Sequence, residues 1–85
     1  MDIGVEISMY PLTAEFAQVI RDLIGRLNDV EGVRVVTNSM STQLFGPYET
    51  VMATVVRELR TTLATFTGTA TKAVLVMKVL GPLPS

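Results

Sequence analysis

The chain has 85 residues, with seven Lys or Arg against eight Asp or Glu for a formal net charge of −1, and it contains no Cys and no His. That length supports one domain, and the missing residue types exclude disulfides, thiolate chemistry, cysteine or histidine metal sites and a histidine general base. Charged residues make up 18% of the chain, against about 25% in an average soluble domain, so part of the surface is expected to be hidden by association, while the lack of any basic run argues against nucleic acid and anionic membranes as partners.

Mean hydropathy is positive at +0.43, yet the longest unbroken apolar stretch is Ala73 to Met77, far short of the ~18 residues that a membrane span requires. Met1-Asp2-Ile3-Gly4-Val5-Glu6 places an acid where a secretory signal has bases, and no apolar segment follows. No membrane insertion is expected, and the location is expected to be cytoplasmic.

From Ile3 to Tyr10 the residues alternate, Ile3, Val5, Ile7 and Met9 on one face and Gly4, Glu6, Ser8 and Tyr10 on the other, which predicts a half-buried strand. Pro11 ends it, and Thr13 is the candidate N-cap of a helix with Glu15 in its first turn. Phe16, Ile20, Leu23, Ile24 and Leu27 recur at helical spacing and predict a core-facing stripe, with Arg21, Asp22 and Arg26 left in water. Asn28 to Gly32 reads as the turn that follows. Val33–Asn38 and Met40–Gly46 predict a hairpin around Asn38 to Ser41.

Pro47 and Glu49 suit the start of a second helix, where a missing N–H is harmless and an acid meets the helix dipole. Its predicted apolar stripe is Val51, Met52, Val55, Val56, Leu59 and Leu63, opposite Glu49, Arg57 and Arg60, and it runs to about Ala64. Thr65–Thr71 reads as a loop. Lys72–Leu80 is a strand apolar on both sides, so both of its faces must be covered. Gly81–Ser85 is expected to be a tail beyond one domain of 1–85 ordered from about residue 3 to residue 80.

The order strand, helix, strand, strand, helix, strand is that of an α+β ferredoxin-like βαββαβ fold, a four-stranded antiparallel sheet with two helices on one face. Two helices shield one face of such a sheet. The exposed remainder, including the last strand, predicts a homo-oligomer joined through the sheet face or an edge.

Few residues could carry chemistry. Glu6 stands out as an acid in the middle of a strand, extended on the same face by Ser8 and Tyr10. A wet face accounts for this pattern, and so does a pocket whose ligand meets a carboxylate. Asn38, Ser39, Ser41, Thr42 and Gln43 gather amides and hydroxyls around the hairpin; turns favour these residues, and a ligand could also use them, with Tyr10 or Phe45 as a flat face for a ring. Met9, Met40, Met52 and Met77 read as gap-fillers. No spacing places a nucleophile beside a base, a calcium loop or a glycine-rich phosphate cradle. No catalytic residue, metal or cofactor is expected, and a binding module is favoured over an enzyme.

Val5-Glu6-Ile7-Ser8-Met9-Tyr10-Pro11-Leu12, then Thr37-Asn38-Ser39-Met40-Ser41-Thr42-Gln43-Leu44-Phe45-Gly46, then Glu49-Thr50-Val51-Met52 together resemble the small thiamine-binding protein family. The resemblance covers most of the chain. It implies a ferredoxin-like fold, dimers or tetramers formed through sheets, and binding of thiamine or its hydroxymethylpyrimidine part in uptake or salvage. By position it implies ligand contacts from Glu6, Ser8 and Tyr10 and from Asn38, Ser39, Ser41, Thr42 and Gln43. Against this stand a cofactor-free enzyme of monooxygenase or isomerase type on a dimeric ferredoxin-like scaffold, and an assembly domain with no ligand of its own.

Overall fold

The computed structural model describes residues 1–11 and 16–84. Its elements in chain order are β1 (Asp2–Pro11), α1 (Phe16–Asn28), β2 (Arg34–Thr37), β3 (Thr42–Pro47), α2 (Tyr48–Ala64) and β4 (Ala73–Leu83). The strands form one sheet in the order β2-β3-β1-β4, every pair antiparallel. This is the ferredoxin-like arrangement that the element order implies. Thr13, Glu15 and the side chain of Phe16 lie outside the described residues, so the proposed cap is left aside.

Alternation in β1 decides the layering. Ile3, Val5 and Ile7 point into one core with Leu44 of β3, Leu23 and Leu27 of α1 and Val51 and Val55 of α2, so both helices cover the same face. The hairpin closes where the sequence places it: the Asn38 N–H donates to the Ser41 carbonyl at 3.1 Å, and the Asn38 Oδ1 accepts from the backbone N–H groups of Met40 and Ser41 at 2.8 and 3.0 Å. That is an Asx turn. Gly46 is needed at the end of β3, because a Cβ there would lie 2.6 Å from the Gly32 carbonyl oxygen in the turn after α1. Pro47 sits one residue before α2 in an extended conformation (φ −61°, ψ 141°), and the free N–H of Tyr48 donates to the Met1 carbonyl at 2.9 Å. The start of β1 thereby satisfies the second helix.

Three features correct the sequence reading. First, the buried face of α2 is Val51, Thr54, Val55, Glu58 and Thr62, and Val56 and Leu63 face outward, 62% and 46% exposed. The cause is polar: Arg26 of α1, expected in water, donates through Nε to Glu58 Oε1 and through Nη2 to Thr62 Oγ1 at 3.4 Å. Arg57 Nε donates to Glu58 Oε2 at 3.1 Å. A carboxylate satisfied from two sides can be buried, and beside Val51 and Val55 it takes the place expected of Val56 and Leu63.

Second, the chain after Leu80 is not a tail, since β4 continues to Leu83, which pairs with Asp2. The register shifts between Asp2 and Gly4, and Pro82, which has no N–H to give, sits in that irregularity at an edge strand, where the loss is tolerated. Third, β4 is only partly covered within this chain: Leu75 packs against the core, and most of the strand's other apolar side chains do not. Val74, Val76 and Leu80 are exposed on one side and Met77 and Val79 on the other.

Removing Arg26 leaves a buried carboxylate with one partner. Arg26→Met is expected to lower unfolding stability by about 3 kcal/mol in a urea titration, whereas Arg60→Met, at an exposed position, should change it by less than about 0.5 kcal/mol. Equal effects of the two would show that the Arg26–Glu58 contact carries no stability.

Candidate functional site

The open face of the sheet is built from the residues that alternation turns away from the helices. Register places them in cross-strand rows: Arg34, Phe45, Gly4 and Leu80 in one, and Val36, Gln43, Glu6 and Lys78 in the next. Ser8 lies opposite Val76 and Tyr10 opposite Val74.

Within these rows is a trough of about 280 Å³ lined by Gly4, Val5, Glu6, Gln43, Phe45, Lys78 and Leu80. Gly4 makes it: a Cβ there would come within 2.9 and 3.1 Å of Cε1 and Cδ1 of Phe45, so the ring leans over the bare backbone of β1. The Arg34 guanidinium lies over the same ring, 4.4 Å from its centroid, a cation–π contact. The walls are therefore aromatic and aliphatic, and the polar groups collect at one end.

That end is centred on Glu6. Its Oε2 accepts from the Ser41 hydroxyl at 3.1 Å and from Gln43 Nε2 at 3.5 Å. The Lys78 ammonium lies 3.8 Å from Oε1, too far for a hydrogen bond and close enough for an ion pair. Both partners reach solvent, with 79% of the Lys78 side chain and 37% of that of Glu6 exposed. Both hydrogen bonds thus fall on Oε2, and Glu6 lines the trough with Oε1 left to the ion pair.

The residues that the sequence singles out do not form one cluster. Glu6, Gln43 and Phe45 line the trough, and Ser41 reaches it through its bond to Glu6. Tyr10, Asn38, Ser39, Ser41 and Thr42 instead line a second cavity of about 220 Å³ between α1 and the hairpin, with Ile7, Met9, Ile20, Leu23 and Ile24 as its apolar floor. Thr42 is buried on the helix side and Ser39 is exposed. The side-chain oxygen of Asn38 is committed to its own turn. Ser8 lines neither cavity. Gly4, Val5, Lys78 and Leu80 are the trough residues that the sequence reading did not count as ligand contacts, and one signal pointed to Lys78: it is the lone charge inside β4 and Glu6 the lone charge in the middle of β1, a pairing that antiparallel strands favour.

Among the described residues no group of three or more His, Cys, Asp or Glu is placed to hold a metal ion, and no helix is long and apolar enough to cross a membrane.

No family model matches the chain, and no curated protein matches it. Solved structures do. A Thermotoga maritima protein provisionally assigned to thiamine biosynthesis or salvage superposes with a TM-score of 0.78 at 18% identity, over 96% of this chain and 85% of that one. A hypothetical protein of Methanocaldococcus jannascii gives 0.77 at 20% identity, over 99% and 84%. A domain of unknown function, DUF77, from Bacillus cereus gives 0.75 at 19% identity, over 96% and 77%. At these identities the likeness is one of fold, and a de novo designed protein shares it at a TM-score of 0.61 and 13% identity.

The Glu6–Lys78 pair is open to water, so a double-mutant cycle with Glu6→Gln and Lys78→Met should give a coupling energy below about 1 kcal/mol in chemical denaturation, with the fold kept. A coupling above about 2 kcal/mol would mean that the pair is structural and unavailable to a ligand.

Proposed function

We propose that this protein is a non-catalytic small-molecule binding domain whose ligand is thiamine or its hydroxymethylpyrimidine part, bound on the open sheet face in a role in uptake or salvage. The observation that carries the reading is the Glu6 carboxylate at the polar end of an apolar trough. An aminopyrimidine presents an N–H donor and a ring-nitrogen acceptor side by side in one plane. Glu6 Oε1 supplies the acceptor, the Gln43 amide or the Lys78 ammonium the donor, and Phe45 the flat wall. A volume of about 280 Å³ accommodates a single substituted ring. The description of the Thermotoga maritima neighbour supports the choice of a thiamine-related compound.

Self-association belongs to the same reading. Tyr10, Val74, Val76 and Leu80 are 57%, 49%, 46% and 65% exposed on the open face, and β4 is an edge strand apolar on both sides. Covering them with a second copy, through the face or the edge, removes the exposed apolar surface and accounts for the low charge content. Light scattering at micromolar concentration should give a dimer or tetramer, and Val76→Asp should weaken it by placing an unpaired charge in a dry contact. A monodisperse monomer would rule this out.

A second reading, a cofactor-free enzyme, draws on the Ser41 hydroxyl donated to Glu6 Oε2 at 3.1 Å, the contact of a nucleophile with its base. Ser41→Ala separates the two, because it abolishes turnover in an enzyme and leaves affinity within a few-fold in a binder.

Calorimetry tests the binder directly. A charge-assisted hydrogen bond contributes about 1.5 to 3 kcal/mol, so Glu6→Gln should weaken binding of hydroxymethylpyrimidine or thiamine roughly ten- to a hundredfold. No heat from wild type with either compound at millimolar concentration would end this reading; equal binding by Glu6→Gln would move the ligand away from the trough.

A further inference from the structure

We infer that the helix side of β4, with the flank of α2 beside it, seats an amphipathic helix of another protein whose polar rim is acidic. The seat lies on the opposite side of the sheet from the trough, and the inference does not depend on the ligand reading above.

The seat is a step with a floor and a wall. Leu75, Met77 and Val79 stand across from Met9, Ile7 and Val5, and cross-strand neighbours share a face, so all three lie on the helix side. Both helices approach β1, and neither comes as close to β4. Leu75 reaches the margin of the core, whereas Met77 and Val79 are exposed. These three make the floor. The wall is the stripe Met52, Val56, Leu59 and Leu63, which recurs at four-, three- and four-residue spacing over about three turns of α2. Met52 and Leu59 touch the core margin, and Val56 and Leu63 stand clear of it.

The helix contacts show which way the wall faces. Arg26 of α1 reaches α2 at Glu58, and at about 100° per residue Glu58 and the stripe fall on opposite sides of the buried Val55. The stripe is therefore turned away from α1. Since α1 is the helix that reaches β2, at the far edge of the sheet, the side of α2 away from α1 is the side of β4. Two apolar surfaces meeting at an angle can hold one helix against both.

Charge selects the occupant. Arg60 borders the stripe and Arg57 stands beside it, both exposed. After Glu49 the only acidic side chain in the sequence is Glu58, which is buried and held by Arg26 and Arg57. A second copy does not complement this rim. Leu23 and Leu27 of its α1 are committed to its own core, so it could offer only its own α2 and would set Arg57 and Arg60 against themselves. A helix with an apolar stripe flanked by Asp or Glu supplies both missing surfaces.

Fluorescence anisotropy on the full chain tests this with two labelled helical peptides that carry the same leucine stripe, one flanked by glutamates and the other by lysines. The acidic peptide should bind at least about tenfold more tightly at low salt, with the gap closing as salt is added. Arg60→Glu should narrow the ratio about three- to tenfold, and Val56→Asp and Leu63→Asp should each weaken the acidic peptide at least about tenfold. Val76→Asp, on the open face, should leave its affinity unchanged. Circular dichroism checks that the variants stay folded. No binding of the acidic peptide, equal affinity for the two peptides, or unchanged binding in both Val56→Asp and Leu63→Asp overturns the inference. Two further results overturn it by naming another occupant: a fall in light-scattering mass with Leu63→Asp makes that occupant a second copy, and wild-type binding to phosphatidylcholine–phosphatidylserine vesicles that Leu63→Asp abolishes makes it a membrane.

Discussion

The central strand β1 is hydrogen-bonded along both edges, to β3 and to β4, and its register with those neighbours is the constraint on which everything else rests. Side chains alternate across a strand, so a slip of one residue would carry Ile3, Val5 and Ile7 out of the core and bring Glu6 into it. The penalty for burying an unpaired carboxylate and the loss of three apolar side chains act in the same direction. The pattern that builds the core therefore also fixes the open face. Gly4 beside Phe45 and Leu80, and Glu6 beside Gln43 and Lys78, are consequences of one register rather than separate features.

The helix layer follows a different logic. Its polar contact is Glu58 between Arg26 and Arg57, and Glu58 occupies a buried position that an aliphatic side chain could have filled. A buried ion pair is a weak source of net stability and a strong source of geometry, since breaking one partner costs far more than forming the pair gains. Here it fixes the rotation of α2 against α1. The displaced apolar residues, Val56 and Leu63, then face outward, and with the partly covered β4 they give this small chain an apolar surface that one copy alone does not bury.

Much of this was legible in the sequence because it rests on short-range rules. The alternation in β1, the Asn38 turn, the boundary at Pro47 and the end of α2 at Ala64 each depend on a few adjacent residues. The errors arise where a partner distant in sequence decides. On α2 both readings share Val51 and Val55, and they part beyond them: counting apolar residues adds Val56 and Leu63, whereas the buried face takes Glu58 and Thr62, because Arg26, 32 positions before Glu58, reaches them. Gly81 and Pro82 read as strand breakers by local propensity, yet an edge strand with a register shift accepts both. The division of the candidate ligand residues has the same origin. Thr42 and Gln43 are neighbours on β3 and face opposite sides of the sheet, so closeness in sequence became two cavities in space.

Function cannot be taken from a fold that hosts many unrelated activities, and the argument passes to the trough and its charges. Glu6 alone would describe a site for a cation. Glu6 with Lys78 at 3.8 Å describes a donor and an acceptor set side by side. The Arg34 guanidinium 4.4 Å from the Phe45 centroid adds a second fixed charge to the same face. Both contributions depend on register: Lys78 meets Glu6, and Arg34 meets Phe45, only as cross-strand partners. A strand pairing that first served to bury three aliphatic side chains thus also sets the order of charges along the open face.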